Sequence, residues 1–157
     1  MFYIAVTRFN NETWRENQRW RENQRWRENH DYKGCIYNTP IHIKDSIPLE
    51  ITLYIIEMNN QTNNIMGIGR LLNKVHTDKK YKIYSENNYN RYTYKGNSYL
   101  SREEIISENG KNEKILIEAM EKFLFKGYKH MKRGQGITIL PIDHQLRFAR
   151  YIKDLFT

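Results

Sequence analysis

The chain opens on alternating hydrophobic and polar positions. In "FYIAVTRF" the residues Phe2, Ile4 and Val6 fall on one face, the period-2 pattern of a strand. A long polar stretch follows, in which Trp recurs every sixth position: "TWRENQRWRENQRWRENHDYKG". Its Arg, Glu, Gln and Asn are poor strand formers and acceptable helix formers, so a polar helix is predicted over 13–29. "PLEITLYIIEM" is β-branched and aromatic throughout and reads as a strand, "NNQTNN" as a turn, and "IMGIGRLLN" as the returning partner. Residues 48–73 are thus a predicted β-hairpin, with Gly67 and Gly69 marking a bulge or a close backbone approach.

Further along, "KYKIYS" and "NRYTYKG" read as two short strands joined at Asn87 and Asn88. "NEKILIEAMEKFLFKG" is an amphipathic helix that places Ile115, Ala119, Met120 and Phe123 on one face and ends at Gly127. "GITILP" is a strand stopped by Pro141. The tail predicts a helix over 143–156, with Phe148, Ile152 and Leu155 on one stripe and Asp143 as its cap. The whole predicts a single α+β domain over 1–157: a mostly antiparallel, barrel-like sheet with flanking helices.

The repeat is tested by helical geometry. Six residues turn a helix by about 240° beyond a full revolution, so Trp14, Trp20 and Trp26 point about 120° apart and share no single face. The expectation is a helix lengthened by duplicated units that project into solvent, with the last copy leading into "HDYKGCIYN" closest to any function.

Composition narrows the partners. The 157 residues carry a formal charge of +8, with an isoelectric point near 9.5. An acidic partner is implied, DNA or RNA first. Asn, Ile, Lys and Tyr are abundant, and their codons are AT-rich, so part of the lysine excess reflects coding bias rather than binding. A lone cysteine, Cys35, excludes an internal disulfide and any cysteine-rich zinc site and fits a reducing compartment. No apolar run approaches the roughly 18 residues of a membrane span. The opening residues lack a signal-peptide layout, so an intracellular protein without membrane partners is expected.

Three clusters carry candidate chemistry. "KGYKHMKRGQG" concentrates Lys126, Lys129, His130, Lys132 and Arg133 before Gly134 and Gly136. Positive side chains beside glycine-flanked amides suit a phosphate cradle, although the spacing is not that of a Walker loop. "YNRYTYKG" sets Arg91 and Lys95 against Tyr92 and Tyr94, which suits phosphate contact and stacking on unpaired bases. "WRENHDYKGCIYN" gathers Trp26, Tyr37 and Asn38, two aromatic walls and an amide for a base edge. Each has a plainer counterpart: a solvated helix end, an ordinary tyrosine-rich strand, and packing aromatics.

Catalytic signals are sparse. His42, His76, His130 and His144 stand apart, without zinc spacing, and no serine sits in a nucleophile elbow. No catalytic residue, metal site or cofactor is therefore assigned. Glu57 and His130 are the positions to test should a metal-dependent cleavage be found.

The opening strand, the "WRENHDYKGCIYN" segment and the pair "LYIIEMNN…IMGIGRLLN" with its Gly-x-Gly resemble the PUA-like superfamily of EVE, YTH and ASCH domains. "YNRYTYKG" and "HMKRGQGITILP" look similar to pieces of an uncharacterised family from large AT-rich DNA viruses. The resemblance implies a non-enzymatic reader of modified or unpaired bases. It would use an aromatic pocket at Trp26, Tyr37 and Asn38 beside a basic rim. The alternatives are a viral structural or host-interaction protein without base recognition and, behind it, a nucleic-acid-processing enzyme.

Overall fold

The computed structural model describes residues 1–27, 32–109 and 111–157; for 26, 27, 108, 109, 111 and 112 only the backbone course is described. The described residues form, in order, β1 (Phe2–Phe9), α1 (Asn11–Arg27), β2 (Cys35–Thr39), β3 (Thr52–Asn59), β4 (Asn64–Leu72), β5 (Tyr92–Gly96), β6 (Ser98–Ser101), α2 (Arg102–Asn109), α3 (Lys111–Phe125), β7 (Thr138–Ile139) and α4 (Ile142–Leu155). A short 3-10 turn, Asn87–Asn90, precedes β5.

Five strands make one mixed sheet in the order β6-β4-β3-β1-β7, and β2 and β5 make a separate antiparallel pair. β1 lies parallel to β3, Phe2 opposite Thr52 and Phe9 opposite Asn59, and every other pairing is antiparallel. The sheet has two free edges, β6 and β7, so it is open and the expected barrel does not form. β2 and β5 pair with each other instead of bridging those edges, and α1 carries the chain out of β1 so that β3 returns beside it in parallel.

Both sheet faces are covered, giving a layered α+β domain. On one side Ala5, Phe9, Leu53, Ile55 and Leu71 meet the β2–β5 pair through Cys35, Tyr37 and Tyr94, with Trp14 and Trp20 of α1 at the margin. On the other, Ile4, Val6, Ile56 and Ile68 meet Ile105 of α2, Ile117, Met120 and Leu124 of α3, and Phe148 and Ile152 of α4. Fully covered strands explain why β1 and β3 are apolar on both faces.

Several local expectations shift. The predicted hairpin is β3–β4, with a register irregularity at Glu57/Met58. "KYKIYS" forms no strand: the carbonyl of Tyr81 accepts from the Asn38 side chain, and the Ile83 and Tyr84 amides donate to Asn90 Oδ1. Asparagine side chains satisfy this backbone in place of a ladder. α3 turns a different face inward, burying Ile117, Met120 and Leu124 while Ile115 stays 62% exposed. α2 is absent from the hydrophobic pattern. Its signal is the capping box, with Ser101 and Glu104 exchanging backbone-to-side-chain bonds at 3.2 and 3.1 Å. α4 starts one residue early, at Pro141 as cap, and Asp143 instead pairs with Lys129 at 3.2 Å. No helix among the described residues is long and apolar enough to cross a membrane.

Candidate functional site

The repeat helix does not simply project into solvent. Trp14, Asn17 and Arg21 follow one another at helical spacing along its inner face, where Asn17 is 0% and Arg21 3% exposed. Asn17 Nδ2 donates to the Ile36 carbonyl at 2.8 Å and to the Tyr84 hydroxyl at 3.2 Å. Arg21 Nη2 reaches Glu57 Oε2 at 3.4 Å, and its guanidinium lies 3.6 Å from the centre of the Tyr99 ring. The Tyr37 and Tyr99 hydroxyls donate to the two Glu57 oxygens at 2.7 and 2.8 Å. Gly67 and Gly69 supply the space: a Cβ at Gly69 would strike the Tyr37 hydroxyl and lie 2.7 Å from Cys35 Sγ, and one at Gly67 would meet the Tyr99 ring.

This cluster is sealed. Burial pushes the Glu57 carboxyl above the usual range; Arg21 and the two phenols pull it back only in part. Burial alone would lower Arg21, but the adjoining Glu57, Tyr99 and Tyr37 reverse this and hold it above its ordinary value. With Glu57 fully buried and both its oxygens engaged, the cluster ties α1 to β3 and offers no approach to a substrate.

An open cleft of about 290 Å³ lies instead at the ends of β1 and β3. Its walls include Arg8, Thr13, Asn60, Tyr89, Gly134 and Gly136. Arg8 is the penultimate residue of β1 and is fixed by two bonds, Nε to the Met131 carbonyl at 2.6 Å and Nη1 to Thr138 Oγ1 at 3.0 Å. Its third nitrogen, Nη2, is buried without a hydrogen-bond partner, as is Asn60 Oδ1. Burial lowers the Arg8 pKa, yet a guanidinium remains cationic at any physiological pH. The N-terminus of α1 faces the same space, with Asn10 and Thr13 exchanging capping bonds at 3.0 and 2.8 Å. It adds the positive end of a helix dipole.

Gly134 and Gly136 adopt positive φ, 123° and 71°, and Gly134 runs directly over the Arg8 guanidinium, where a Cβ would come within 3.2 Å of Nη2. These glycines close the segment that carries Lys126, Lys129, His130, Lys132 and Arg133. Lys126 and Arg133 are exposed, and Lys129 is engaged with Asp143. His130 Nδ1 accepts from the Lys132 amide at 3.2 Å, and the Lys132 carbonyl accepts from Asn60 at 2.9 Å.

The other expected groups separate. Tyr94 is 1% exposed and holds the Ile43 amide through its hydroxyl at 2.9 Å, so its ring offers no stacking face. Lys95 donates to the Tyr81 hydroxyl at 2.7 Å, Arg91 is exposed, and Tyr92 packs edge-on against His42. Tyr37 is sealed at 1% exposure, its hydroxyl on Glu57. Asn38 reaches the cleft, but its amide is engaged by Tyr81, Asn90 and Thr93. The Trp26 side chain falls outside the described residues. Tyr37 and Asn38 therefore form no open aromatic cage. The aromatic face available in the cleft is Tyr89, 42% exposed and edge-on to Tyr84 at 6.5 Å. Arg8, Asn60 and Tyr89 have no common signal in the sequence: the parallel pairing of β1 with β3 brings the first two to one end of the sheet, and the 3-10 turn before β5 supplies the third.

Compared with known proteins, the chain matches no family model, no curated protein and no solved structure.

Proposed function

We propose that the protein is a non-enzymatic nucleic-acid-binding domain that takes one unpaired nucleotide into the cleft at the ends of β1 and β3. In this reading a phosphate lies toward Arg8 and the Gly134–Gly136 turn, and a base stacks on Tyr89. The observation that carries it is Arg8: a cation fixed in the wall of a cleft, with one guanidinium nitrogen left without a partner beneath Gly134. An anion there would compensate a partly buried cation, whose isolation from water is costly. A cleft of about 290 Å³ sits at the small end of ligand sites, the scale of one nucleotide rather than a duplex. Lys132 and Arg133 extend the positive surface beyond the turn, and the net charge of +8 favours polyanions in general. The reading rests on the cleft and not on the PUA-like resemblance, whose barrel the open sheet does not supply.

Tyr89→Ala tests it, because the ring is substantially exposed and its loss should leave the fold intact. Base stacking contributes about 1–3 kcal/mol, so affinity for single-stranded oligonucleotides should fall by about 5- to 150-fold at fixed salt. Binding within twofold of the parent chain, at unchanged melting temperature, would remove the cleft from the interface.

A further inference from the structure

The opposite end of the sheet, about 26 Å away along strands of eight residues, carries a second cleft of about 610 Å³. Its walls include Glu50, Thr52, Arg70, Lys74, His76 and Lys95. Three cations from β4, β5 and the segment between them thus face one acid. The cations are individually placed. Arg70 Nη2 donates to Ser98 Oγ at 3.1 Å and its guanidinium lies 5.6 Å from the Phe156 ring. Lys95 donates to Tyr81, whose hydroxyl in turn donates to Asp78 at 2.8 Å. The His76 amide is tied to the Thr93 carbonyl at 2.8 Å, which holds this segment against β5, the strand that carries Lys95. Lys74 is exposed.

The rim carries strain as well. Glu50 has φ 65°, a left-handed conformation that a glutamate adopts at a cost, and its amide is held by the Asn73 carbonyl at 3.0 Å. Strain of this kind persists where the surroundings over-determine it, and it gathers at ligand sites.

We propose that this second cleft binds a ligand presenting two or more adjacent phosphates, held by Arg70, Lys74 and Lys95 with the His76 imidazole as a further hydrogen-bonding partner. A single phosphate would leave most of the cavity empty, whereas a run of phosphates reaches cations on both walls. The local electrostatics agree: His76 is pulled below its ordinary value by burial first and then by Lys95, with Lys74 adding to the effect and Asp78 and Glu50 opposing it. A bound polyanion reverses the cationic contribution. The inference is independent of the nucleotide cleft at the other end of the sheet.

That reversal supplies the test. The full chain is followed by NMR of its histidine ring protons through a pH series, His76 being assigned with His76→Gln. Sodium tripolyphosphate and a short single-stranded oligonucleotide are added in parallel, each against sodium chloride of matched ionic strength. The expected result is a rise in the His76 pKa of about half a unit or more. In Lys74→Gln, which alters an exposed side chain, affinity should weaken about three- to fivefold. A response to tripolyphosphate alone identifies free polyphosphates as the source, and a stronger response to the oligonucleotide identifies a phosphodiester chain. The same response in Tyr89→Ala separates this site from the other cleft. No rise with either probe, a rise equal to that in sodium chloride, or an undiminished response in Lys74→Gln/Lys95→Gln would overturn the proposal.

Discussion

Arg21 and Glu57 stand 36 positions apart in sequence and meet at 3.4 Å in the interior, where their side chains are 4% and 0% exposed. One belongs to a hydrophilic repeat and the other to the most apolar strand of the chain. Their contact fixes α1 on the sheet. Asn17 and Arg21, one turn apart on the inner face of α1, lay a polar anchor into the core, where Asn17 reaches Arg21 Nη2 and two tyrosine hydroxyls hold Glu57, while Arg21 Nε is buried without a partner.

Removing half of this pair should be severe. Arg21→Ala leaves the Glu57 carboxyl buried beside two phenols with no cation, and the expected loss is about 3–5 kcal/mol in urea unfolding. Arg21→Met combined with Glu57→Leu, which leaves no unpaired charge, should recover part of that loss. A single-variant loss below about 1 kcal/mol, the range of exposed pairs, would show that the anchor is not buried in solution.

The repeat makes a second prediction. Residues 14–21 and 20–27 are the same octapeptide, WRENQRWR. Deleting residues 15–20 brings Asn23 and Arg27 to the places of Asn17 and Arg21, so the anchor is regenerated and the shortening falls on the connection to β2. The stability loss should be well under that of Arg21→Ala. Deleting only 15–17 instead carries Trp20 to the place of Asn17 and Gln24 to that of Arg21, and it should unfold the chain. Thermal melts of the two deletions that matched each other would refute this account.

Gly69 offers a steric test of the same cluster. An added methyl there collides with the Tyr37 hydroxyl and Cys35 Sγ, neither of which has room to withdraw. Gly69→Ala should cost about 1–3 kcal/mol, the usual penalty for overpacking. Tyr37→Phe in the same background removes the struck hydroxyl and should relieve part of it, measurable as a positive coupling in a double-mutant cycle.

The buried thiol and phenols predict sensitivity to alkali. Burial pushes Cys35 from 9.0 up to about 12, and Tyr37 and Tyr99 are raised by the same cause. Each group keeps its proton in the folded chain at a pH where the unfolded chain has lost it. The folded state therefore binds more protons, and stability falls as pH rises. For Cys35 the window opens near pH 9 and closes near 12, with a slope approaching about 1.4 kcal/mol per pH unit. Cys35→Ser or Ala should flatten the decline of stability across that window, and in the parent chain the thiol should resist alkylation at pH 8 until the protein is unfolded. Rapid native-state alkylation would contradict the burial.

Local pattern determined the local elements of this protein. The alternation at Phe2, Ile4 and Val6, the turn at 60–63 and the polar helix after β1 are properties of short windows, and the structure retains them as β1, the β3–β4 hairpin and α1. The basic segment ending in Gly134 and Gly136 was likewise legible as composition, because like charges and glycines lie side by side in the chain.

What the tertiary structure decided is pairing and facing. The parallel register of β1 with β3 brings Arg8 and Asn60 to one end of the sheet, and the turn that carries Tyr89 folds back to the same cleft; no window of sequence contains these segments together. The same holds for the face of α1. Periodicity treats Asn17 and Arg21 as solvent residues, since a polar side chain is favoured inside only when specific partners complete its hydrogen bonds. Those partners, Ile36, Tyr84 and Glu57, come from three other segments. Tyr37 was drawn inward by that demand, and the aromatic open to a ligand became Tyr89, in a turn shaped by Asn90 rather than by hydrophobic pattern.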